Sequence, residues 1–372
     1  MFAGVKQLFL RSFMHYHAGT SATPLLAPAG PEVRNIDVWQ FGGVGDMLLA
    51  TPVIRALGCT YPDAAIRVWC SDPVFAGFLG RIPKVEHIDR FPVYDFDART
   101  LFRHAVRTSL QAIRDEMRAI EADMVVNLHI PALLDWWAVE WWLIRQLQPR
   151  YALGFDPRFI RHGSIYQASL NASVRDGLHY TKLYGRLMDV AGIPCDERTE
   201  FPLRDSDRER ASELLAEHGL VTVRRRVCLH IGGRRLKVEG RMWPVERFAD
   251  LASRLLANDM VPVLIGVQNE RSMGEQLCDK VPECINLIGC TNLDEMAALV
   301  SLVDGFVGHD SGPFHVAVAV GTPCVAICGR PDAEPEYLYY ERDDVSTLIA
   351  DAPDLISTDA VMQQAMRLFG HA

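Results

Sequence analysis

Short apolar runs alternate with helix-length amphipathic segments along most of this chain, and that alternation leaves few folds open. "IDVWQF", "AIRVWC" and "DMVVNLH" read as buried strands with helices between them, followed by a further helix from Leu133 to Gln148. After Gly192 the pattern breaks at "IPCDERTEFPLRDSDRERA", a charged stretch with two prolines that reads as a connection between domains. It resumes with "RVCLHIG", "VPVLIG", "CINLIG", "GFVG" and "CVAIC" as strands, and helices starting near Val245, Glu270, Asn292 and Pro313. Two such runs predict an α/β chain of two facing, doubly wound, Rossmann-like domains. The expected boundaries are an extension and linker over 1–31, a first domain over 32–195, a second over 196–356 and a C-terminal helix over 357–372. Ligands in such folds bind at the carboxyl ends of the strands, so the loops there carry the functional reading.

Composition narrows the partners. The 372 residues are 49% hydrophobic and 23% charged, and no apolar run approaches the length of a membrane span. The acid excess lies in the second half, with 17 Lys+Arg against 26 Asp+Glu from residue 201 onward. No broad basic surface exists to displace counterions, so no nucleic-acid partner is expected and any anion site must be local. The nine cysteines are odd in number, include no C-x-x-C pair, and fall partly inside apolar strands (Cys228, Cys324, Cys328). That pattern suits reduced, buried thiols in a cytoplasmic protein.

Residues 1–31 stand apart. Phe2, Val5, Phe9, Phe13 and Tyr16 fall within roughly 80° on a helical wheel, and the Pro/Ala/Gly stretch "AGTSATPLLAPAGP" follows. Arg11 interrupts the apolar segment, which argues against a secretory signal. An interfacial anchor helix, packing onto the protein's own body, or disorder all remain open.

Three loops could carry chemistry. "FGGVGDMLLATPVIRAL" places Gly42, Gly43 and Gly45 at the end of the first strand and Asp46 at the start of a helix. It lacks the G-K-[ST] of a phosphate-binding loop, and Leu48 stands where a dinucleotide fingerprint needs its third glycine, so neither nucleotide hydrolysis nor hydride transfer is supported. Asp46 is either a helix cap or a general base. "LHIGGRRLKVEGRMWPVERFADLASRL" ends its strand at Gly232 and Gly233, carries Arg234, Arg235, Lys237 and Arg241, and opens a helix after Trp243 and Pro244. Four cations beside a helix start read as a diphosphate clamp or as a solvated loop. "VDGFVGHDSGPFHVAVAVGTPCVAICG" sets Asp310, Ser311, Gly312 and Pro313 between a strand and a helix, where Asp310 or Ser311 can cap exposed amides that also suit an anion.

Other signals are weaker. Arg99, Arg103, Arg107, Arg114 and Arg118 share a helix face that is either solvated or suited to an acidic acceptor. The four tryptophans of "LLDWWAVEWWLIRQL" read as core packing or as contact with a lipid-linked acceptor. The D-x-D patterns at Asp95 to Asp97 and Asp205 to Asp207 are too short to indicate a metal, and neither a catalytic metal nor a cofactor is expected.

Together, "GGVGDMLLATPVIRAL", "GRMWPVERFADLASRL", "VLIGVQNE" and "VDGFVGHDSGPFHVAVAVGTPCVAICG" resemble glycosyltransferase family 9, the bacterial heptosyltransferases of lipopolysaccharide core assembly, over about residues 35 to 369. The resemblance implies the GT-B fold and an inverting, metal-independent transfer from a nucleotide diphosphate sugar, typically ADP-heptose, to a glycan or lipid-linked acceptor at the cytoplasmic face of the inner membrane. It implies that Asp46 is the catalytic base. Ser311, Gly312 and Pro313 would hold the diphosphate, Asp310 would contact the donor sugar, and His315 lies one turn further in. Gln268 falls where some members carry a ribose-binding carboxylate, and Arg241 where Lys is common. The same architecture leaves open a nucleotide-sugar epimerase or a non-catalytic sugar-nucleotide or glycan-binding scaffold.

Overall fold

The computed structural model describes residues 32–92, 104–130, 134–156, 164–171, 178–220, 225–233, 242–329 and 340–370, with side chains at 104–107, 134–138 and 171 left aside. The extension 1–31, Asp95 to Asp97, Arg99, Arg103, Arg234, Arg235, Lys237 and Arg241 lie outside the described residues, as does the Arg107 side chain. The chain divides into two compact units, residues 1–198 and 199–372.

The first unit contains β1 (Asn35–Gln40), α1 (Val44–Thr60), β2 (Ala65–Cys70), α2 (Ala76–Leu79), β3 (Val85–Arg90) and α3 (His104–Arg118). It continues with β4 (Met124–Asn127), α4 (Leu134–Leu147), β5 (Tyr151–Asp156), β6 (Ala168–Asn171) and α5 (Tyr180–Val190). The second contains α6 (Asp205–Glu217), β7 (Arg225–His230), α7 (Val245–Leu256), β8 (Met260–Ile265), α8 (Arg271–Lys280) and β9 (Ile285–Asn286). After them come α9 (Leu293–Ser301), β10 (Gly305–His309), α10 (Gly312–Val320), β11 (Cys324–Gly329), β12 (Val345–Ala350) and α11 (Thr358–Phe369).

Each unit carries one six-stranded sheet, ordered β3-β2-β1-β4-β5-β6 and β12-β11-β10-β7-β8-β9, and the strand pairs are parallel. Both orders are the Rossmann order, the second read from its other edge. Chain direction across the sheet therefore reverses between β1 and β4 in one unit and between β7 and β10 in the other. A crevice opens beyond the carboxyl ends at such a switch point, because the loops there leave in opposite directions.

Burial explains which strands form. β4, β8, β10 and β11 are buried along their whole lengths, as expected where helices cover both faces of a parallel sheet. Trp39 and Trp69 face each other in register on β1 and β2 and are wholly buried. Val139, Leu143 and Ile144 of α4 join that core, whereas Trp141 and Trp142 are half-buried under Arg145 and Arg114. Pro52 lies inside α1 and offers no N–H to the Leu48 carbonyl; the Thr51 hydroxyl donates to that carbonyl instead, at 2.7 Å. The helix that starts at Asp46's turn is thus kept continuous.

In the second unit Trp243 is 1% exposed and its indole N–H donates to the Ile356 carbonyl at 2.8 Å, tying the segment before α7 to the one before α11. Trp243→Phe leaves that carbonyl without its partner, and the expected loss is about 1–3 kcal/mol of stability, measured as a lowered urea midpoint by circular dichroism.

Candidate functional site

Asp46 is the third residue of α1, and its carboxylate accepts the Gly43 N–H at 2.8 Å. It thereby supplies the reach-back half of a capping box, and the helix start favours its ionised form. A Cβ on Gly42 would lie 2.3 Å from the Asp46 carboxyl carbon, so only glycine lets the carboxylate fold over this loop. Gly43 is exposed at the cap and Gly45 is buried in the first turn. The loop is held from both sides. The Gln40 side-chain oxygen Oε1 accepts the Gly42 N–H at 3.1 Å, and its Nε2 donates to the Tyr184 hydroxyl at 2.9 Å. The Ser71 hydroxyl donates to the Gly42 carbonyl at 2.7 Å.

The neighbouring strand across the switch point, β4, ends in Asn127, which is wholly buried. Its amide donates to the Tyr166 hydroxyl at 2.9 Å, and its carbonyl oxygen accepts the His129 N–H at 3.0 Å. His129 Nδ1 pairs with Glu140 of α4, whose side chain is 1% exposed while that of His129 is 22% exposed. Burial, the largest influence on His129, disfavours its charged form. The charge and hydrogen bond of Glu140, with the charge of Asp46 behind them, prevail and hold its pKa above the ordinary histidine value. Neither His129 nor Glu140 stands out in the sequence. The only trace is a carboxylate set among the tryptophans of α4.

On α3, Arg114 is half-buried over Trp142 and pairs with Asp115 at 2.6 Å, while Arg118 is exposed. Asp207 of the second D-x-D pattern accepts the Arg204 N–H at 3.3 Å and serves the start of α6.

In the second unit two residues, Asp310 and Ser311, separate β10 from α10. Gly312 and Pro313 begin that helix, with Ser311 in the N-cap position. Of the two readings of this turn, capping by the Ser311 side chain is not what the structure shows: its hydroxyl makes no cap bond but donates to the His309 carbonyl at 3.2 Å and meets His230 Nδ1 at 3.1 Å. The buried His230 side chain at the end of β7 draws the hydroxyl away from the helix amides. His315 Nδ1 lies 2.7 Å from the Tyr340 hydroxyl and Nε2 lies 3.8 Å from the Asp310 carboxylate, with both His315 and Asp310 buried.

A carboxylate at this corner went unread in the sequence. Glu270 is buried, lies 3.6 Å from His230 Nε2 and accepts the Val267 N–H at 3.0 Å. A Cβ on Gly232 would come within 2.2 Å of its carboxyl group, so this glycine admits the acid at the end of β7. Burial alone would raise its pKa. Contact with His230 and the amides of Val267 and Gly233 outweigh burial and hold it below the ordinary carboxylate value. Gln268, two residues earlier, is exposed and sits against Gly289. Gly233 is half-buried beyond Gly232.

His309 closes this corner. Its Nε2 accepts the Trp243 N–H at 2.7 Å, so the ring proton is on Nδ1 and donates to the Gly232 carbonyl at 3.2 Å. One neutral imidazole thus binds residues on both sides of the segment 234–241. Among the described residues no group of three or more His, Cys, Asp or Glu is arranged to hold a metal ion.

Comparison with known proteins adds to this geometry. The family model described as "Glycosyltransferase family 9 (heptosyltransferase)" matches residues 144–358, more than half of the chain. Lipopolysaccharide heptosyltransferase 2 of Salmonella typhimurium is 25% identical over 319 residues, covering 80% of this chain and 84% of that protein. Among solved structures, a glycosyl transferase family 9 protein from Veillonella parvula superimposes with a TM-score of 0.73 at 19% identity, covering 93% of this chain and 99% of that one. The heptosyltransferase WaaC of E. coli with ADP-2-deoxy-2-fluoro heptose gives a TM-score of 0.63 at 18% identity, covering 88% and 98%. These structural likenesses carry the fold, which is GT-B.

Burial first, then the nearby His230, brings His309 down to about 3. The unfolded chain therefore takes up this proton first, and stability is lost as pH falls from about 6.5 toward 3, by about 1.4 kcal/mol per pH unit for one proton. The urea midpoint of the second unit, read from fluorotryptophan at Trp243, should fall accordingly between pH 6.5 and 4, and His309→Gln should remove that slope. A midpoint independent of pH would contradict a buried neutral His309.

Proposed function

The chain belongs to glycosyltransferase family 9, the heptosyltransferases, and from that premise we propose that it transfers heptose from ADP-heptose to a hydroxyl of a lipopolysaccharide core acceptor, with inversion at the anomeric carbon and without a metal. The observation that carries this reading is the start of α10, where the Ser311 hydroxyl is engaged by His230 and His309 and does not occupy the helix amides. Pro313 brings no N–H, and the Phe314 and His315 N–H groups donate to the Ser311 carbonyl at 3.0 and 3.4 Å, so what this helix start offers a diphosphate is the Gly312 N–H and the positive end of the helix dipole. The solved E. coli relative with ADP-2-deoxy-2-fluoro heptose supports an ADP-sugar donor.

In this mechanism the diphosphate rests on Ser311, Gly312 and Pro313, next to the half-buried Gly233, while Gly232 makes room for Glu270. Asp310 orients the donor sugar, and the His315 to Tyr340 bond steadies it from behind. The ribose is met by Gln268 and by the buried Glu270. Arg241, at the end of the cationic segment, adds a guanidinium to the departing ADP. Asp46 takes the acceptor proton while the acceptor oxygen attacks the anomeric carbon from the side opposite ADP. Negative charge gathers on the leaving diphosphate, and the α10 dipole and cations stabilise it in the role a metal would otherwise fill. The acceptor side is lined by Gly43 and Gly45, with Arg99, Arg103 and Arg107 offering cations to an acidic glycan. No described helix is long and apolar enough to cross a membrane. The proposed access to a lipid-linked acceptor is peripheral contact at the cytoplasmic face of the inner membrane.

Heptose transfer from ADP-heptose to a heptose-deficient lipopolysaccharide core tests the assignment. Asp46→Asn should lower turnover by roughly 10² to 10⁴-fold, about 3 to 5 kcal/mol of barrier, with ADP affinity unchanged. Turnover equal to wild type would remove Asp46 from the chemistry. Arg241→Ala should weaken ADP binding measured by calorimetry, and equal affinity would remove Arg241 from the donor site.

A further inference from the structure

A helix start holds Asp46 as a carboxylate, which makes it a poor resting place for a proton. The proton lost by the acceptor must nevertheless leave the site before the next cycle. The first unit contains a pair of groups suited to receive it. His129 and Asp46 stand beyond the ends of β4 and β1, the two strands that flank the switch point. Those strand ends are locked together: the Leu128 N–H donates to the Trp39 carbonyl at 2.9 Å, and the Gln40 amide reaches the Leu128 carbonyl at 3.4 Å. Glu140 is buried, grips His129 Nδ1 through one oxygen, and leaves its other oxygen, Oε2, without a hydrogen-bond partner. A wholly buried carboxylate held this way is costly unless its neighbour can become charged.

We propose that Asp46, His129 and Glu140 form a proton relay in which Asp46 removes the acceptor proton and His129, held by Glu140, stores it. This rests on the reading of Asp46 as the base. The acceptor O–H bond breaks as the new bond to the anomeric carbon forms, and ADP leaves with the electron pair of its own bond to that carbon. The proton passes to the Asp46 carboxylate and then to Nε2 of neutral His129. Nδ1–H stays bonded to Glu140 throughout, so the resulting imidazolium is balanced by a carboxylate already in place. His129 acts through Asp46 and is a positioning residue, not a catalytic one. It resolves the conflict over a weak base, because the final proton acceptor has a higher affinity than the group that first meets the proton.

The charged and titratable groups around His129 are few among the described residues. Glu140 comes from α4 and Asp46 from α1, and both favour imidazolium. Tyr166, before β6, and Tyr184, of α5, are buried phenols that burial keeps protonated. The Phe41 ring lies 5.9 Å from the imidazole and adds no charge.

Imidazole NMR of the full chain, with the His129 signal assigned through its loss in His129→Gln, tests the coupling without any substrate. His129 should titrate above the ordinary 6.5 in wild type, and its pKa should fall in both Asp46→Asn and Glu140→Gln. A value unmoved by Asp46→Asn overturns the relay. The pH profile of heptose transfer separates this from failure of the base assignment. With the relay intact, the acid limb of kcat lies at the His129 pKa and shifts down toward the carboxylate range in His129→Gln. An acid limb unmoved in His129→Gln, with Asp46→Asn still crippling turnover, overturns the relay alone. Normal turnover in Asp46→Asn overturns the base assignment on which it rests.

Discussion

Two residues separate β10 from α10, and the chemistry assigned to the second unit depends on how that short turn satisfies its own polar groups. The turn sets the start of α10 at the carboxyl edge of the sheet, next to the end of β7 where the strand order reverses. The Ser311 hydroxyl does not cap that helix start. His230 and the His309 carbonyl take the hydroxyl instead. His230 is in turn held by Glu270, and Glu270 fits only because Gly232 lacks a side chain. The corner is a chain of mutually dependent contacts, and removing one leaves a buried polar group unpaired.

The same logic gives the first unit its opposite character. There the helix start after β1 is already served by a carboxylate of its own, Asp46, which suits the proposed base and disfavours an anion at that place. One topology therefore produces two corners of different chemistry, and the difference comes down to whether the first turn supplies its own negative charge. His129 and Glu140 stand beside the acidic corner, while His309 and Glu270 hold the loop ends at the proposed anion site. All four occupy positions at or beside the carboxyl edges of their sheets or on the helices packed there.

The broad architecture was readable because most central strands are buried on both faces and appear as unbroken apolar runs: "IDVWQF", "AIRVWC", "VPVLIG" and "CVAIC" all lie on observed strands. β3 escaped notice because its run "VEHIDR" lies at the sheet edge with no buried residue, and β6, "ASLN", is short and polar. "CINLIG" promised more than the two-residue β9 it contains. At the sites, the helix starts at Asp46 and at Gly312 were legible because helix-start signals are local in sequence. Glu270 and the His129 to Glu140 pair were not, since their significance comes from neighbours brought together by strand order: His230 is 40 residues from Glu270, and β1 is separated from β4 by two other strands. The D-x-D at Asp205 reads correctly only once Asp207 is seen capping α6.

The central claim is that the corner at α10 binds a nucleoside diphosphate and that its base is adenine. Calorimetric titration of the full chain with ADP, UDP, GDP and CDP, without added metal, tests it most directly. The account predicts saturable binding with ADP the tightest of the four. Tighter binding of another diphosphate would contradict the ADP-heptose donor, and absence of binding to any of them would contradict the anion site itself.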